Sequence, residues 1–441
     1  MPETFSSPIE AAAGEPLDIL EKSMSSGAPR SIILVAFHFS PEALPGAVRP
    51  SRFFRYLPGF GYEPEVITGA VQTEMHPRIH SIPAPTYLPN KYTPAGAVEI
   101  LLHKIAWPTE LALLWAGPAS ARARRLLRDK PVSAVISTGP PVNTHLTAMG
   151  LKLRYGLPWV ADFRDPMLDN PFRQNLGRIP AIADQILEKQ IFHHADAILG
   201  VSDVIDHWWR IRYPQYAHKL HVLYNGYDPA ENLAGQPIPQ RSYRVLAYVG
   251  NLYGLRRPEI ILNALTRLAS TNCLTRDNFR IHFIGRIGQD VSAVNGPVMS
   301  QLQESGIMEC TGLVPRAQAL QMMAESDYLL MLDIQDGAQG YAVPSKIFEY
   351  IRMGRPILTV TQHDSPVHRI VSRSGVPHVF VYPEHSEDTV CQKIKELLEL
   401  PPDPVKPSEW FLETFDGRQQ AGTLASIIAS VEKSSVAIAG K

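Results

Sequence analysis

The stretch 343–358, VPSKIFEYIRMGRPIL, sets a serine, a lysine and a glutamate at a spacing that suits phosphate and hydroxyl groups. Ser345 and Lys346 fall in the first turn of a predicted helix, where free backbone amides and a positive charge favour an anion. Glu349 follows one turn later, and a carboxylate there can accept both hydroxyls of a ribose. Such a helix would bind a nucleotide diphosphate with one end. The alternative is a core helix with a surface Lys346–Glu349 ion pair, which would contribute little energy.

The helix that would position these side chains has clear limits in the sequence. Pro344 has no amide hydrogen and suits a first turn. Apolar residues recur every fourth position over 343–351, which predicts one buried stripe. Gly354 ends the helix, and the apolar run 357–360 predicts a buried strand.

The beginning of the chain predicts a strand, a loop, a helix and a second strand. The apolar run 31–37 is typical of a strand buried on both faces, and the second strand is predicted at 64–69. Between them lie His38 and Gly46, and ligands of such βαβ units bind at the carboxyl ends of the strands. Both residues are therefore candidates for a binding site. The alternative for His38 is an ordinary polar loop residue.

Three charged residues end another predicted strand, PWVADFRDP at 158–166. Asp162, Arg164 and Asp165 follow an apolar run directly, and charges in that position are not expected to be buried without partners. In a crevice at the strand end they would face a ligand, where an aspartate could orient a hydroxyl or remove its proton. The alternative is a structural network among the three.

The strand pattern restarts after the Pro-, Gly- and Gln-rich segment 229–240, which predicts a linker and a second domain. The loop after the first strand of this second half contains Gly250, Asn251 and Arg256. The next strand ends at Arg286. These residues would lie at the same sheet edge as the start of the helix predicted at Ser345 and Lys346.

The composition restricts the class of protein. A chain of 441 residues is too long for one core, so two domains are expected. The formal net charge of −1 argues against a nucleic-acid-binding protein. The three cysteines are widely spaced and predict a reducing compartment without disulfides. Residues 1–30 lack the pattern of a signal peptide and predict a disordered tail. No apolar run is long enough to span a membrane.

One predicted helix, at 107–130, contains a cluster of basic residues. A solvated helix face explains the cluster, and so does contact with anionic lipid headgroups, to which each charge would add about 1 kcal/mol. The members of the cluster are Arg122, Arg124, Arg125, Arg128 and Lys130.

From about Ile32 to Val431, the chain resembles the glycosyltransferase family 4 type enzymes of the GT-B fold. The resemblance depends on motifs that occur in the family's order: VISTGPPVNTHL, PWVADFRDP, HVLYNGYD, AYVGNLYGLRRPEIILNAL, FIGR and VPSKIFEYIRMGRPIL. It implies an α/β protein of two Rossmann-like doubly wound domains facing across a cleft. The implied parts are an acceptor-side domain at 31–228, a nucleotide-sugar-binding domain at 241–400 and a helical segment at 401–435.

The resemblance also implies roles for single residues on the donor side. The family's usual Gly-Arg is here Gly250-Asn251, while its usual lysine six residues after the glycine is Arg256. Of its two glutamates, Glu349 matches the second and Tyr341 stands in the place of the first. Lys346 is then expected to replace the lost cation at the diphosphate. Ser345 and Arg286 complete the donor-binding candidates.

On the acceptor side the resemblance leaves more open. The candidates are His38, Gly46 and Arg164, with Asp162 and Asp165 as catalytic candidates beside Arg256 and Lys346. No histidine of this chain clearly matches the family's histidine near the sugar, and His145 is predicted at the start of a helix. A dedicated base is not required, because the donor phosphate is thought to take the proton. No cofactor and no metal are expected.

The sequence and its family resemblance together predict a cytoplasmic glycosyltransferase that uses a nucleotide-diphosphate sugar. The resemblance implies that the sugar is transferred with retention of the anomeric configuration. The acceptor would be a sugar, a lipid-linked sugar or a polysaccharide precursor. We expect peripheral contact at the inner membrane face and no binding to nucleic acid. Two alternatives remain: a catalytically silent GT-B subunit that binds a protein partner, and a nucleotide-sugar epimerase or hydrolase. The base, the sugar, the acceptor, the linkage and the oligomeric state are left open.

Overall fold

A computed structural model describes residues 28–42, 45–83, 113–168, 178–231, 238–254, 256–333 and 343–439. The chain divides into two compact units, one formed by 1–225 with 417–441 and the other by 226–416. Tyr341, most of the predicted tail 1–30 and half of the predicted linker 229–240 lie outside the described residues.

The first unit is a parallel sheet with interleaved helices, in the strand order β3-β2-β1-β4-β5-β6-β7. The strands are β1 (Arg30–Ala36), β2 (Tyr62–Thr68), β3 (Ile79–Ser81), β4 (Ala134–Gly139), β5 (Trp159–Phe163), β6 (Ala197–Gly200) and β7 (Leu220–Val222). The helices are α1 (Pro45–Tyr56), α2 (Leu113–Asp129), α3 (Asn143–Tyr155), α4 (Arg178–His194) and α5 (Asp203–Arg212), with 3-10 turns at Leu57–Phe60 and Pro214–Lys219. The order reverses between β1 and β4, which makes the sheet doubly wound.

The second unit has the same plan, with parallel strands in the order β10-β9-β8-β11-β12-β13. Its strands are β8 (Arg244–Val249), β9 (Phe279–Ile284), β10 (Met308–Gly312), β11 (Tyr328–Leu332), β12 (Ile357–Val360) and β13 (His378–Val381). Its helices are α6 (Glu259–Ser270), α7 (Gln289–Glu304), α8 (Arg316–Ala324), α9 (Lys346–Met353), α10 (Pro366–Arg373), α11 (Glu387–Glu399) and α12 (Glu409–Thr414). The order reverses between β8 and β11.

The last helix, α13 (Gly417–Ala439), belongs to the first unit. Ala421, Leu424 and Ile428 of its apolar stripe are buried in one cluster with Leu34 and Ile136 of the central strands. Burying apolar surface of this kind is the main favourable term in folding. The chain therefore returns to its first sheet after completing the second.

The apolar runs predicted the central strands well, because strands buried on both faces need continuous apolar sequence. Two segments differ from their sequence pattern. The segment 71–96 has no clear period, which predicts a long loop, but it contains β3; its part after residue 83 lies outside the described residues. The pattern of 220–228 predicts a strand throughout, but β7 ends at Val222.

Within the described residues, no helix combines the length and the apolar character that a membrane crossing requires.

Candidate functional site

Helix α9 positions Lys346 and Glu349. It begins at Lys346 after Ser345, whose side chain makes no capping hydrogen bond. Its buried face includes Ile347 and Ile351, as the four-residue period predicts. Gly354 ends the helix with φ of 71°, where a Cβ would clash with the Val405 carbonyl oxygen. A side chain at this position is excluded by that contact.

The Lys346 ammonium is buried in the second unit beneath the loop that follows β8. Nζ lies 3.8 Å from the centroid of the Tyr248 ring, and it makes no hydrogen bond within the described part of the chain. Burial lowers the pKa of Lys346 well below its usual value, and the Arg256 charge lowers it further, while Glu349 acts in the opposite direction. A buried cation without a hydrogen-bonding partner is costly in the absence of an anion.

Glycines let the β8 and β9 loops approach this ammonium closely. Gly250 has φ of 114°, and a Cβ there would lie 3.2 Å from Lys346 Nζ. A Cβ at Gly285 would lie 2.6 Å from the Gly250 carbonyl oxygen. The Asn251 side-chain oxygen accepts a hydrogen bond from the Arg286 amide at 3.2 Å. The structure therefore brings four predicted donor-side residues together: Gly250, Asn251, Arg286 and Lys346.

Arg256 is the second cation of this region. Its guanidinium lies 5.3 Å from the centroid of the Tyr253 ring, and its Nε is buried without a hydrogen bond to any described residue. The charge of Arg256 acts directly on Lys346. Two like charges are thus held near each other at the carboxyl end of β8, an arrangement that an anion would stabilise.

Glu349 does not pair with Lys346, so the alternative of a surface Lys346–Glu349 pair is wrong. Its Oε1 accepts a hydrogen bond from Arg316 Nη2 at 2.7 Å, and the same Nη2 lies 2.8 Å from Glu231 Oε2. Burial raises the pKa of Glu349, and Arg316 counteracts that rise. Sequence spacing gave no sign of Arg316, since its partners are 33 and 85 positions away along the chain.

The three acceptor-side candidates lie together in the first unit. A Cβ at Gly46 would be 2.6 Å from Arg164 Nη1 and 3.3 Å from His38 Cδ2. Arg164 donates hydrogen bonds to the carbonyl oxygens of Gly46, Gly139 and Pro140. His38 Nδ1 is 3.0 Å from Glu42 Oε2. Arg164 therefore fixes the loops at the carboxyl ends of three strands, which is a bracing role.

Asp162 is fully buried and forms an ion pair with Arg49. Its two oxygens accept from Arg49 Nε at 3.0 Å and from Arg49 Nη2 at 2.8 Å. Arg49 Nη1 also donates to the Tyr224 carbonyl oxygen at 2.8 Å. This geometry favours the structural-network alternative for Asp162, with Arg49 as the partner. Asp165 is half-buried. Burial lowers the pKa of Arg164, and the charge of Asp165 counteracts part of that effect.

His145 is fully buried in helix α3, so it is not open to a substrate. Its Nδ1 is 2.8 Å from Ser137 Oγ, and a Cβ at Gly139 would lie 2.6 Å from its Nε2. Burial lowers the pKa of His145 to about 3, so the ring is neutral at physiological pH.

A cavity of about 600 Å³ lies at the opposite, amino ends of the strands of the second unit. Its arginines are held by protein groups: Arg241 and Arg244 both donate to Asp327, and Arg355 donates to the carbonyl oxygens of Pro402 and Ala324. These contacts explain the charges as a structural network. The carboxyl ends, where Lys346 and Arg256 lie, therefore remain the candidate site.

One family model matches part of the chain, most of it in the first unit. Residues 46–226 match the family model described as "Glycosyl transferase 4-like domain". Residues 46–226 are therefore similar to a glycosyltransferase 4-like domain. The match begins at Gly46 and includes Asp162, Arg164 and Asp165. A search of curated protein sequences finds no match to the chain.

Solved structures of glycosyltransferases share the fold over nearly the whole chain. Sucrose-phosphate synthase from Thermosynechococcus elongatus is 12% identical, with a TM-score of 0.58 over 92% of this chain and 98% of that one. The catalytic domain of starch synthase IV from Arabidopsis thaliana, bound to ADP and acarbose, is 9% identical, with a TM-score of 0.59 over 93% and 100%. HepE from Anabaena, in complex with UDP-glucose, is 12% identical, with a TM-score of 0.53 over 93% and 99%. The predicted GT-B fold is thus confirmed, and the glycosyltransferase 4-like domain supports the predicted enzyme class.

Proposed function

We propose that this protein transfers a sugar from a nucleotide-diphosphate sugar to an acceptor, with retention of the anomeric configuration. The observation that carries the proposal is the buried Lys346 ammonium, which has Arg256 as its neighbouring cation and lacks a hydrogen-bonding partner among the described residues. Both residues lie in the second unit, near the carboxyl end of β8, where doubly wound sheets bind ligands.

The chemistry of transfer requires cations at this point. Breaking a sugar–diphosphate bond builds negative charge on the leaving phosphate and positive charge on the sugar. Lys346 and Arg256 are already in place before the reaction, so they stabilise the growing phosphate charge without a reorganisation cost. Burial increases this effect, because water does not screen the charges. The leaving phosphate itself takes the proton of the acceptor hydroxyl.

Glu349 is proposed to bind the ribose of the donor. It lies one turn along α9 from Lys346, and a carboxylate at that distance can accept hydrogen bonds from both ribose hydroxyls. HepE is described with UDP-glucose and starch synthase IV with ADP, so related folds use different bases. We therefore propose a nucleotide-diphosphate sugar without choosing its base.

The first unit is proposed to bind the acceptor, with His38, Gly46 and Arg164 at the strand ends. The acceptor is proposed to be a sugar or a lipid-linked sugar. Helix α2 supports membrane contact, because Arg124, Arg125 and Arg128 are exposed on it. Such a surface would bring the protein to anionic lipid at the inner membrane face, on the cytoplasmic side. Metal independence stays a prediction.

The test of this function is donor turnover with and without acceptor. Thermal shift with UDP-, ADP- and GDP-sugars first selects a donor, and mass spectrometry then identifies the products. Turnover that requires or is stimulated by an acceptor supports the transferase. Turnover of the donor alone would instead indicate an epimerase or hydrolase. A donor that binds without any turnover would indicate a catalytically silent subunit.

A further inference from the structure

Arg316 lies at the start of helix α8 between two carboxylates of the same unit. Its Nη2 is 2.7 Å from Glu349 Oε1, and 3.0 and 2.8 Å from the two oxygens of Glu231. The Glu349 side chain is 21% exposed, and that of Arg316 is 45% exposed. Glu349 Oε1 is thus engaged, whereas its Oε2 accepts no hydrogen bond from the described residues.

The charge state of Glu349 decides what it can recognise. An ionised carboxylate only accepts hydrogen bonds, while a protonated one must donate one of them. Burial raises the pKa of Glu349, and Glu231 raises it further. Arg316 lowers this pKa most strongly, and Lys346 also lowers it. The two hydroxyls of a ribose are donors to such a carboxylate, so recognition needs the ionised form.

We propose that Arg316 is a positioning residue for ribose recognition: its hydrogen bond to Oε1 orients the Glu349 carboxylate and leaves Oε2 for the hydroxyls of the donor's ribose. The inference rests on the proposed function. It assigns the discrimination between ribose and 2′,3′-dideoxyribose to the Arg316–Glu349 pair, rather than to Glu349 alone.

Glu231 limits the strength of this pair. It shares Nη2 of Arg316 with Glu349, so it competes for the same donor. Removing its charge leaves Arg316 with one carboxylate, which lowers the pKa of Glu349. Glu231→Gln is therefore expected to keep the ribose preference and to extend it to lower pH. This gives a variant whose effect is opposite to that of Arg316→Gln.

The experiment compares nucleoside diphosphates with their 2′,3′-dideoxy counterparts by calorimetry, using UDP, ADP and GDP between pH 5.5 and 8.5. The ratio of the two affinities isolates the contribution of the ribose hydroxyls to binding, because both ligands have the same diphosphate. In Arg316→Gln the ratio should fall about tenfold or more at low pH, the size of a hydrogen bond to a charged group, and should recover as pH rises. The sign follows from the higher pKa of Glu349 in this variant, which protonates it at low pH.

Three controls make the result decisive. Arg316→Lys should restore most of the ratio, because it keeps the charge. Arg267→Gln removes a similarly exposed arginine that pairs with Glu387, and it should change nothing. Thermal unfolding of each variant verifies the fold.

Two outcomes would contradict different claims. If the wild-type protein binds none of the three diphosphates, the proposed function and this inference both fail. If it binds them with a ribose preference that Arg316→Gln leaves intact at every pH, only the role of Arg316 is overturned. A loss of affinity that is equal for ribo and dideoxy ligands would likewise reduce Arg316 to a structural residue.

Discussion

The Lys346 ammonium lies 3.8 Å from the centroid of the Tyr248 ring and has no hydrogen-bonding partner among the described residues. An aromatic face attracts a cation by about 0.5–2 kcal/mol, which offsets only part of the lost hydration. No carboxylate of the described residues forms an ion pair with this lysine. Its position therefore suits an anion that arrives with a substrate.

The first prediction concerns catalysis by the two cations. Lys346→Met and Arg256→Gln should each lower the turnover rate by about 10²–10³, as expected for one electrostatic contact to a growing charge. Because both cations act on one phosphate, the double variant should lose less than the product of the single losses. Steady-state kinetics measure all three. Lys395→Met, at an exposed lysine of the same unit, is the control, and a normal rate in Lys346→Met would refute the role.

The second prediction concerns the stability cost of the same lysine. Burial in the folded protein lowers the pKa of Lys346. At pH values between the folded-state and unfolded-state pKa, the unfolded chain therefore binds one more proton than the folded protein. Stability therefore rises with pH across that interval, and below it the buried charge destabilises the fold. Lys346→Met should raise the melting temperature at pH 7. This gain should shrink as the pH rises towards the usual pKa of a lysine side chain. Differential scanning calorimetry at several pH values measures this; an unchanged or lower melting temperature at pH 7 would contradict it.

The third prediction concerns Gly250. An alanine there would have an unfavourable φ of 114° and a Cβ 3.2 Å from Lys346 Nζ. The backbone alone costs about 1–2 kcal/mol, and the displaced ammonium should lower turnover by at least about tenfold. Gly312→Ala is the matched control, since Gly312 also has a positive φ but a Cβ there meets nothing within 4 Å. Equal turnover in the two variants would mean that Gly250 only serves the backbone.

The fourth prediction separates structure from catalysis at Asp162. Asp162→Ala leaves the Arg49 guanidinium buried without its carboxylate, which should destabilise the fold by about 3–5 kcal/mol. The double variant Arg49→Met with Asp162→Leu should be less destabilised than the sum of its single changes. Denaturant unfolding measures both free energies. A stable but inactive Asp162→Ala protein would favour the catalytic role instead.

The fifth prediction concerns membrane contact through helix α2. Arg122 Nη2 is already 2.8 Å from His80 Nδ1, whereas Arg124, Arg125 and Arg128 are exposed. Binding to anionic vesicles should therefore fall with salt, and by about 100-fold when the three exposed arginines become glutamine, at about 1 kcal/mol for each charge. Sedimentation with vesicles measures it, with Arg122→Gln as the control. Absence of binding at low salt would refute the prediction.

The sequence by itself determined the two sheets and the loops at their carboxyl ends. Continuous apolar runs such as 31–37 are stable only where helices cover both faces of a strand, so they indicate a parallel α/β fold without further information. Because parallel strands end at one edge, the loop residues Gly250 and Arg256 and the start of helix α9 were expected to lie near each other. That expectation needed only the order of strands and helices.

The tertiary structure decided which partner each charged side chain has. Asp162 pairs with Arg49, which is 113 positions away, and Glu349 pairs with Arg316 rather than with Lys346 on its own helix. No local spacing encodes such pairs, because they depend on which loops the strand order brings together. Burial is likewise a property of the folded chain. Only packing beneath the Gly250 loop turns Lys346 from a surface lysine into a buried ammonium.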